Sequence, residues 1–157
     1  MESLLEELLE ECRPCTREGH VATYIPELAK GDPSQLGIYV LRSDGHHYQA
    51  GDWSARFTIQ SVVKPILLLS EHLNPMVNMG AITMCTLIHG DSYEEKFQRL
   101  LELTRTLTQD PEVCLDEAVY RSEKRTGNKN RAMAFLLKAY GLLDGEVEEV
   151  LDVYFRA

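Results

Sequence analysis

From residue 92 onward the chain is a succession of short amphipathic segments, each with apolar residues at helical spacing and each closed by a helix breaker. This punctuation constrains the fold more than any other feature, because it prescribes helix lengths as well as helix type. Ser92-Tyr93-Glu94-Glu95 has the form of a capping box, in which the serine accepts from the third helical N–H and Glu95 reaches back. Phe97, Leu100, Leu101 and Leu107 then mark a buried stripe, ended by Asp110-Pro111. A second helix is expected from about Leu115 to Arg125, broken at Gly127-Asn128. Asn128 is placed to cap a third, which carries Met133, Leu136 and Leu137 and stops at Gly141. A last helix holds Val147, Val150, Leu151 and Tyr154 at i, i+3, i+4 and i+7. No internal repeat or low-complexity linker interrupts the series.

The N-terminal part reads differently. Leu4, Leu5, Leu8 and Leu9 share one face of an opening helix with glutamates on the other, as expected of a helix that docks on the core or on a partner subunit. Gln35 to Leu41 is an apolar, partly β-branched run, and Asp44-Gly45 supplies a residue pair favoured in hairpin turns. The hairpin returns through Tyr48 to Gly51-Asp52. Two strands need further strands or a covering helix to be stable.

A chain of 157 residues suffices for one domain, expected to span 1–157. The formal net charge of -9, with no run of basic residues, argues against a nucleic-acid surface. The longest apolar run, Pro65 to Leu69, is too short to cross a bilayer, so no membrane role is expected. The start Met1-Glu2-Ser3-Leu4 lacks the basic region of a secretion signal, which points to a cytoplasmic protein. Cys12-Arg13-Pro14-Cys15 has the spacing of redox and zinc sites. A zinc site needs a second close pair, and a redox motif needs a strand before it, whereas this one follows a helix. Cys85 and Cys114 are expected to act as small hydrophobes.

Chemistry concentrates in Phe57-Thr58-Ile59-Gln60-Ser61-Val62-Val63-Lys64. At a spacing of i, i+3 Lys64 shares a helix face with Ser61, and a neutral amine held there would accept the serine proton. The helix N-terminus would favour negative charge on a substrate oxygen. Ser-x-x-Lys is the signature of class A β-lactamases and penicillin-binding proteins. By itself the tetrapeptide is a weak signal, since most such matches are a helix cap followed by a solvated lysine. Val62, Val63, Pro65 and Ile66 give Lys64 the apolar setting that a lysine base requires. His46 and His47 flank the hairpin turn and are assigned no chemistry.

The motifs around this octapeptide raise its significance. They are Gly19-His20-Val21-Ala22-Thr23-Tyr24-Ile25-Pro26-Glu27-Leu28-Ala29-Lys30, Ala50-Gly51-Asp52, Gln60-Ser61-Val62-Val63-Lys64, Asn74-Pro75-Met76-Val77-Asn78-Met79-Gly80-Ala81, Ser122-Glu123-Lys124-Arg125-Thr126-Gly127-Asn128-Lys129-Asn130-Arg131-Ala132, and Leu151-Asp152-Val153-Tyr154-Phe155. In this order they resemble the serine-dependent glutaminases of the β-lactamase-like superfamily. The resemblance implies an α+β fold of β-lactamase/penicillin-binding-protein type, here an N-terminal hairpin with a mainly helical region, and an incomplete one. It implies hydrolysis of L-glutamine to L-glutamate and ammonia through a glutamyl ester on Ser61, with Lys64 as base and no metal or organic cofactor. Homo-oligomers follow by family analogy.

Substrate-binding roles carry over to Tyr24, Ser61, Asn78, Glu123, Asn130 and Tyr154. Glu123 closes one expected helix and Asn130 opens the next, so a tight junction would bring a carboxylate for an α-ammonium beside an amide for an α-carboxylate. Without the resemblance Glu123 would be a surface charge partnered by Lys124 or Lys129, Asn78 part of an irregular turn, and Tyr24 and Tyr154 core aromatics. Met79 stands where the family has a small residue, which would crowd the pocket wall.

Two stretches of the family pattern are missing. Only a short apolar stretch separates Lys64 from Asn74, where the family has several tens of residues. A later region, with a further tyrosine, an oxyanion-hole group and a Lys-Ser-Gly strand, is also absent, and Arg125-Thr126-Gly127 is a decoy for the latter. The alternative is therefore a shortened, catalytically silent glutaminase homologue that binds an amino acid or a protein partner.

Overall fold

A computed structural model describes residues 2–66 and 77–157, which gather into two compact units, Met1–Phe57 and Thr58–Ala157. Residues 67–70, which include the end of the Pro65–Leu69 run, and Asn74-Pro75-Met76 lie outside the described residues.

In the first unit, helix α1 (Glu2–Cys12) runs into a 3-10 turn, Arg13–Arg17. Strand β1 (Gly37–Leu41) pairs antiparallel with β2 (His47–Gly51), Ile38 facing Ala50 and Val40 facing Tyr48. The connection is closed by Arg42 N–H to His46 O (2.9 Å) and Gly45 N–H to Arg42 O (3.0 Å). Gly45 takes a φ of +84°, the left-handed conformation that the Asp-Gly pair supplies. The Asp44 carboxylate accepts from His46 N–H at 3.1 Å. Leu5 and Leu9 bury against Ala50, with Leu36, Ile38 and Tyr48 partly buried around them. Thus α1 is the covering helix that a two-stranded sheet needs. Leu4 and Leu8, expected on the same buried face, stay exposed. They lie about 100° around the helix from the Leu5–Leu9 row, and a two-stranded surface is too narrow to cover both rows.

The second unit is helical: α2 (Asn78–Leu87), α3 (Tyr93–Thr108), α4 (Glu117–Thr126), α5 (Asn128–Ala139) and α6 (Val147–Arg156). Helix α6 packs against each of the other four. It buries Val147, Val150, Leu151, Val153 and Phe155, residues spread around its circumference, as an internal helix must. Ile82 and Cys85 of α2, Leu100 of α3, and Ala134 and Leu137 of α5 join them in one core. With an antiparallel hairpin in the first unit and helices throughout the second, the chain is α+β.

The helix ends explain themselves chemically. The Ser92 hydroxyl accepts from Glu95 N–H at 3.2 Å, while Glu95 accepts from Asp91 N–H at 2.9 Å, one residue earlier than a reciprocal box requires. The α3 stripe is Phe97, Leu100 and Thr104, whereas Leu107 is exposed, because sixteen-residue α3 outruns the ten-residue helix it packs against. Asp116 caps α4 through Ala118 and Val119 N–H at 3.0 Å, which delays the start beyond Leu115. Gly127, and not Asn128, occupies the cap of α5.

Gly127 is there for space. A Cβ at this position would stand 2.6 Å from Phe155 Cζ and 2.9 Å from the Glu123 carbonyl oxygen. The α4–α5 junction can therefore press against α6 only without a side chain. Gly127→Ala should destabilise the chain by about 1–3 kcal/mol through overpacking, read as a lowered denaturation midpoint. Gly19→Ala, at a site with nothing within 4 Å, should leave the midpoint nearly unchanged.

Candidate functional site

Within the octapeptide, Gln60–Val63 form a 3-10 turn, and residues 64–66 continue helically. Lys64 N–H closes the turn on Ser61 O. Gln60, directly before the serine, holds a φ of +45°, a costly conformation for a residue with a side chain and one that turns Ser61 out of line with the preceding segment. Ser61 and Lys64 border a cavity of about 50 Å³ whose wall also includes Glu123 of α4 and Tyr154 and Phe155 of α6. The two rings of α6 meet edge to face at 5.7 Å.

Ser61 and Lys64 share the cavity without a hydrogen bond between their side chains; the Lys64 ammonium donates instead to Asn78 Oδ1 at 3.0 Å. An ammonium only donates, so Asn78 must present its oxygen to Lys64 and its NH₂ elsewhere. Asn78 Nδ2 donates to Asn130 Oδ1 at 3.1 Å. Asn130, buried at the start of α5, thereby spends its oxygen and keeps its own NH₂ as a donor. Asn78 belongs to no irregular turn. It is the first residue of α2, which fixes it with respect to the core.

Glu123 is the electrostatic anomaly. Burial pushes its carboxyl up to about 7, because the ionised form loses water without gaining a partner. Lys124, its expected counter-ion, turns away to Asp152 of α6.

Of the residues proposed from sequence, Ser61, Lys64, Glu123 and Tyr154 border the cavity, and Asn78 and Asn130 form the relay behind Lys64. Tyr24 belongs to the first unit, where it is largely exposed. Met79, expected to crowd the pocket wall, packs instead against the hydrophobic core, because helical geometry turns it away from its neighbour Asn78. Gln60 and Phe155 line the cavity without having been singled out, although both sit inside motifs that had been. Cys85 is fully buried, and burial pushes its thiol up to about 12, the inert state of a small hydrophobe. Cys114, for which the same was expected, is exposed, because it falls in the irregular connection between α3 and α4 and not on a helix. Cys12 and Cys15 are also exposed, and among the described residues no group of three His, Cys, Asp or Glu side chains is placed to hold a metal.

The chain is similar in sequence and fold to known proteins. A glutaminase family model matches residues 19–72 and 69–157. Glutaminase from Clostridium tetani is 40% identical over 191 aligned positions, covering 99% of this chain and 62% of the relative. Glutaminase 2 from Clostridium perfringens is 38% identical, covering 99% and 63%. A probable glutaminase from Bacillus subtilis, solved in complex with 6-diazo-5-oxo-L-norleucine, superposes with a TM-score of 0.89 at 37% identity, over 99% of this chain and 56% of that one. Mglu in its glutamate form superposes with a TM-score of 0.92 at 27% identity, over 99% and 43%. The chain thus spans somewhat under two thirds of the curated relatives it matches. With 191 aligned positions against 157 residues, at least 34 positions of the Clostridium tetani protein have no counterpart here. The family match is in two segments that meet at residues 69–72, between the Ser61-x-x-Lys64 turn and Asn78. The match to the family model along nearly the whole chain, and the sequence identity to full-length relatives, establish that this chain belongs to the glutaminase family.

Proposed function

We propose that the chain carries the acyl-enzyme half-site of a glutaminase, with Ser61 as nucleophile and Lys64 as its base. The observation that carries this reading is a desolvated, unpaired Glu123 carboxyl in the same cavity as Ser61 and Lys64. A buried anion without a partner is costly unless a ligand brings the cation, and a free amino acid brings an ammonium. Glu123 would take the α-ammonium, the NH₂ of Asn130 the α-carboxylate, and Tyr154 would flank the ligand. The side-chain carboxamide would then face Ser61.

Attack of Ser61 Oγ on the amide carbon passes its proton to Lys64, and protonation of the leaving nitrogen releases ammonia. Water then cleaves the glutamyl ester and regenerates Ser61. The Asn78–Asn130 relay holds the amine of Lys64 in place, and Ser61 N–H serves as one oxyanion donor. The cavity of about 50 Å³ is far below the several hundred Å³ of typical small-molecule sites, which supports a pocket completed by further groups. The Lys64 amine bonds Asn78 and not Ser61, which favours the second reading, an amino-acid binder without turnover.

The two readings separate on Ser61. The full chain treated with 6-diazo-5-oxo-L-norleucine should gain one adduct, localised to Ser61 by peptide mass spectrometry and lost in Ser61→Ala. Labelling confined to a cysteine would remove the serine mechanism. L-glutamine binding with neither labelling nor ammonia release would leave the binder.

Glu123 predicts a pH signature. Its carboxyl stands above the ordinary 4.5 when folded, so the unfolded chain gives up this proton first. Folding stability should therefore fall as pH rises from about 4.5 to about 7, and Glu123→Gln should flatten that slope. An incoming ammonium favours the ionised form, so L-glutamine affinity should rise up to about tenfold per pH unit toward 7 and then level, with proton release below 7. Calorimetric titration in buffers of different ionisation heat measures both effects. Equal affinities in wild type and Glu123→Gln across this range would return Glu123 to a structural role.

A further inference from the structure

A second polar cluster joins α6 to α4. Asp152, two residues before Tyr154, is not among the residues that line the cavity. The Asp152 carboxylate accepts from Tyr120 OH and from the Lys124 ammonium, both on α4. Lys124 also donates to Tyr120 OH at 2.9 Å and lies 5.3 Å over that ring. Arg156 Nε stands 3.0 Å from Asp152, and the same guanidinium bonds Glu94 of α3 and covers the rings of Phe97 and Tyr120. Against the upward pull of burial, bonds from Lys124 and Tyr120 hold the Asp152 carboxyl below its usual range.

Partly buried ion pairs of this kind add little net stability compared with apolar packing, but their directional bonds fix geometry. What they fix here is the cation next to Glu123. The cations around Glu123 are Lys124 and Arg125 on its own helix, Lys129 at the start of α5, and Lys64 in the wall of the same cavity, which also includes Tyr154 of α6 and, directly after that helix, Ala157 with its α-carboxylate. Lys64 is directed to Asn78, Arg125 and Lys129 are exposed, and Lys124 is held by Asp152. We propose that Asp152, with Tyr120, is a positioning residue that withdraws Lys124 from Glu123 and sets α4 against α6, keeping the Glu123 carboxyl open for a ligand's cation. Identification of that cation as the substrate ammonium rests on the glutaminase reading; the positioning does not.

The test is a carboxyl-carbon NMR titration of the full chain labelled with ¹³C-glutamate, Glu123 being assigned by its loss in Glu123→Gln. In wild type Glu123 should titrate near 7. Asp152→Asn frees Lys124, and the midpoint should drop by about one unit as the ammonium turns to Glu123. Adding Lys124→Met to Asp152→Asn removes that cation and should return the midpoint to within ~0.3 of wild type, a rescue that loosened packing alone would not give. If Asp152→Asn does not fold, Tyr120→Phe should give the same downward shift in smaller measure, again reversed by Lys124→Met. A wild-type midpoint in the ordinary carboxylate range, an unmoved midpoint in both single variants, or a drop that Lys124→Met fails to reverse would overturn the proposal. If these shifts appear but added L-glutamine leaves the Glu123 signal unmoved, the substrate assignment fails and the positioning role stands.

Discussion

Burial of α6 is the interaction on which the rest of the second unit depends. Five of its ten residues are apolar and buried, and together they remove enough surface from water to contribute on the order of 10 kcal/mol before entropy is counted. No single neighbour could cover side chains spread so widely around a helix. Four helices are therefore drawn to it, and the positions of Asn78, Glu123 and Asn130 follow from where α2, α4 and α5 meet it. The Gly127–Phe155 contact shows how closely this is adjusted, since the residue that breaks α4 from α5 is also the one that lets them reach α6.

On this apolar frame the polar groups divide into two kinds. Several charges are paired at the surface, as in Arg99–Glu95, Arg121–Glu117 and Lys138–Glu146, where each pair contributes little. Around the cavity the pattern inverts. Lys64, Asn78 and Asn130 form a directed chain in which the donor-only ammonium sets the orientation of two amides. Among the described residues Glu123 is the carboxyl that its surroundings shift upward, while Asp32, Glu94, Glu95 and Asp152 are shifted down by their partners. Lys124, the cation next to Glu123 in sequence, bonds Asp152 of α6 instead.

Much of the helical region was legible because its signals are local. Ser92, Asp110-Pro111, Gly127 and the Val147–Val150–Leu151 row specify caps, stops and faces within a few residues of themselves, and the observed ends differ by a residue or two. The hairpin was legible for the same reason, since Asp44-Gly45 carries its own turn geometry. The misreadings are non-local. Leu4, Leu8 and Leu107 have the right periodicity but no neighbour to meet, and nothing in a 3.6-residue repeat states how wide or long the opposing surface is. Cys114 likewise lies in a connection whose exposure is settled only by what packs around it.

For the site, the sequence by itself determined which chemical groups are present and that Ser61 and Lys64 are one turn apart, because three residues make one turn wherever the backbone is helical. Glu123 and Asn130 were placed on either side of one helix junction by the same logic, and the structure leaves Gly127 alone between the two helices. Tertiary structure alone decided the partners. Lys64 bonds Asn78, fourteen positions away, and Lys124 bonds Asp152, twenty-eight away, in preference to the acid beside it. Those choices depend on desolvation, which no residue carries in its own side chain: a carboxylate is solvated or stranded according to the helices around it, and only the packed fold fixes which it is.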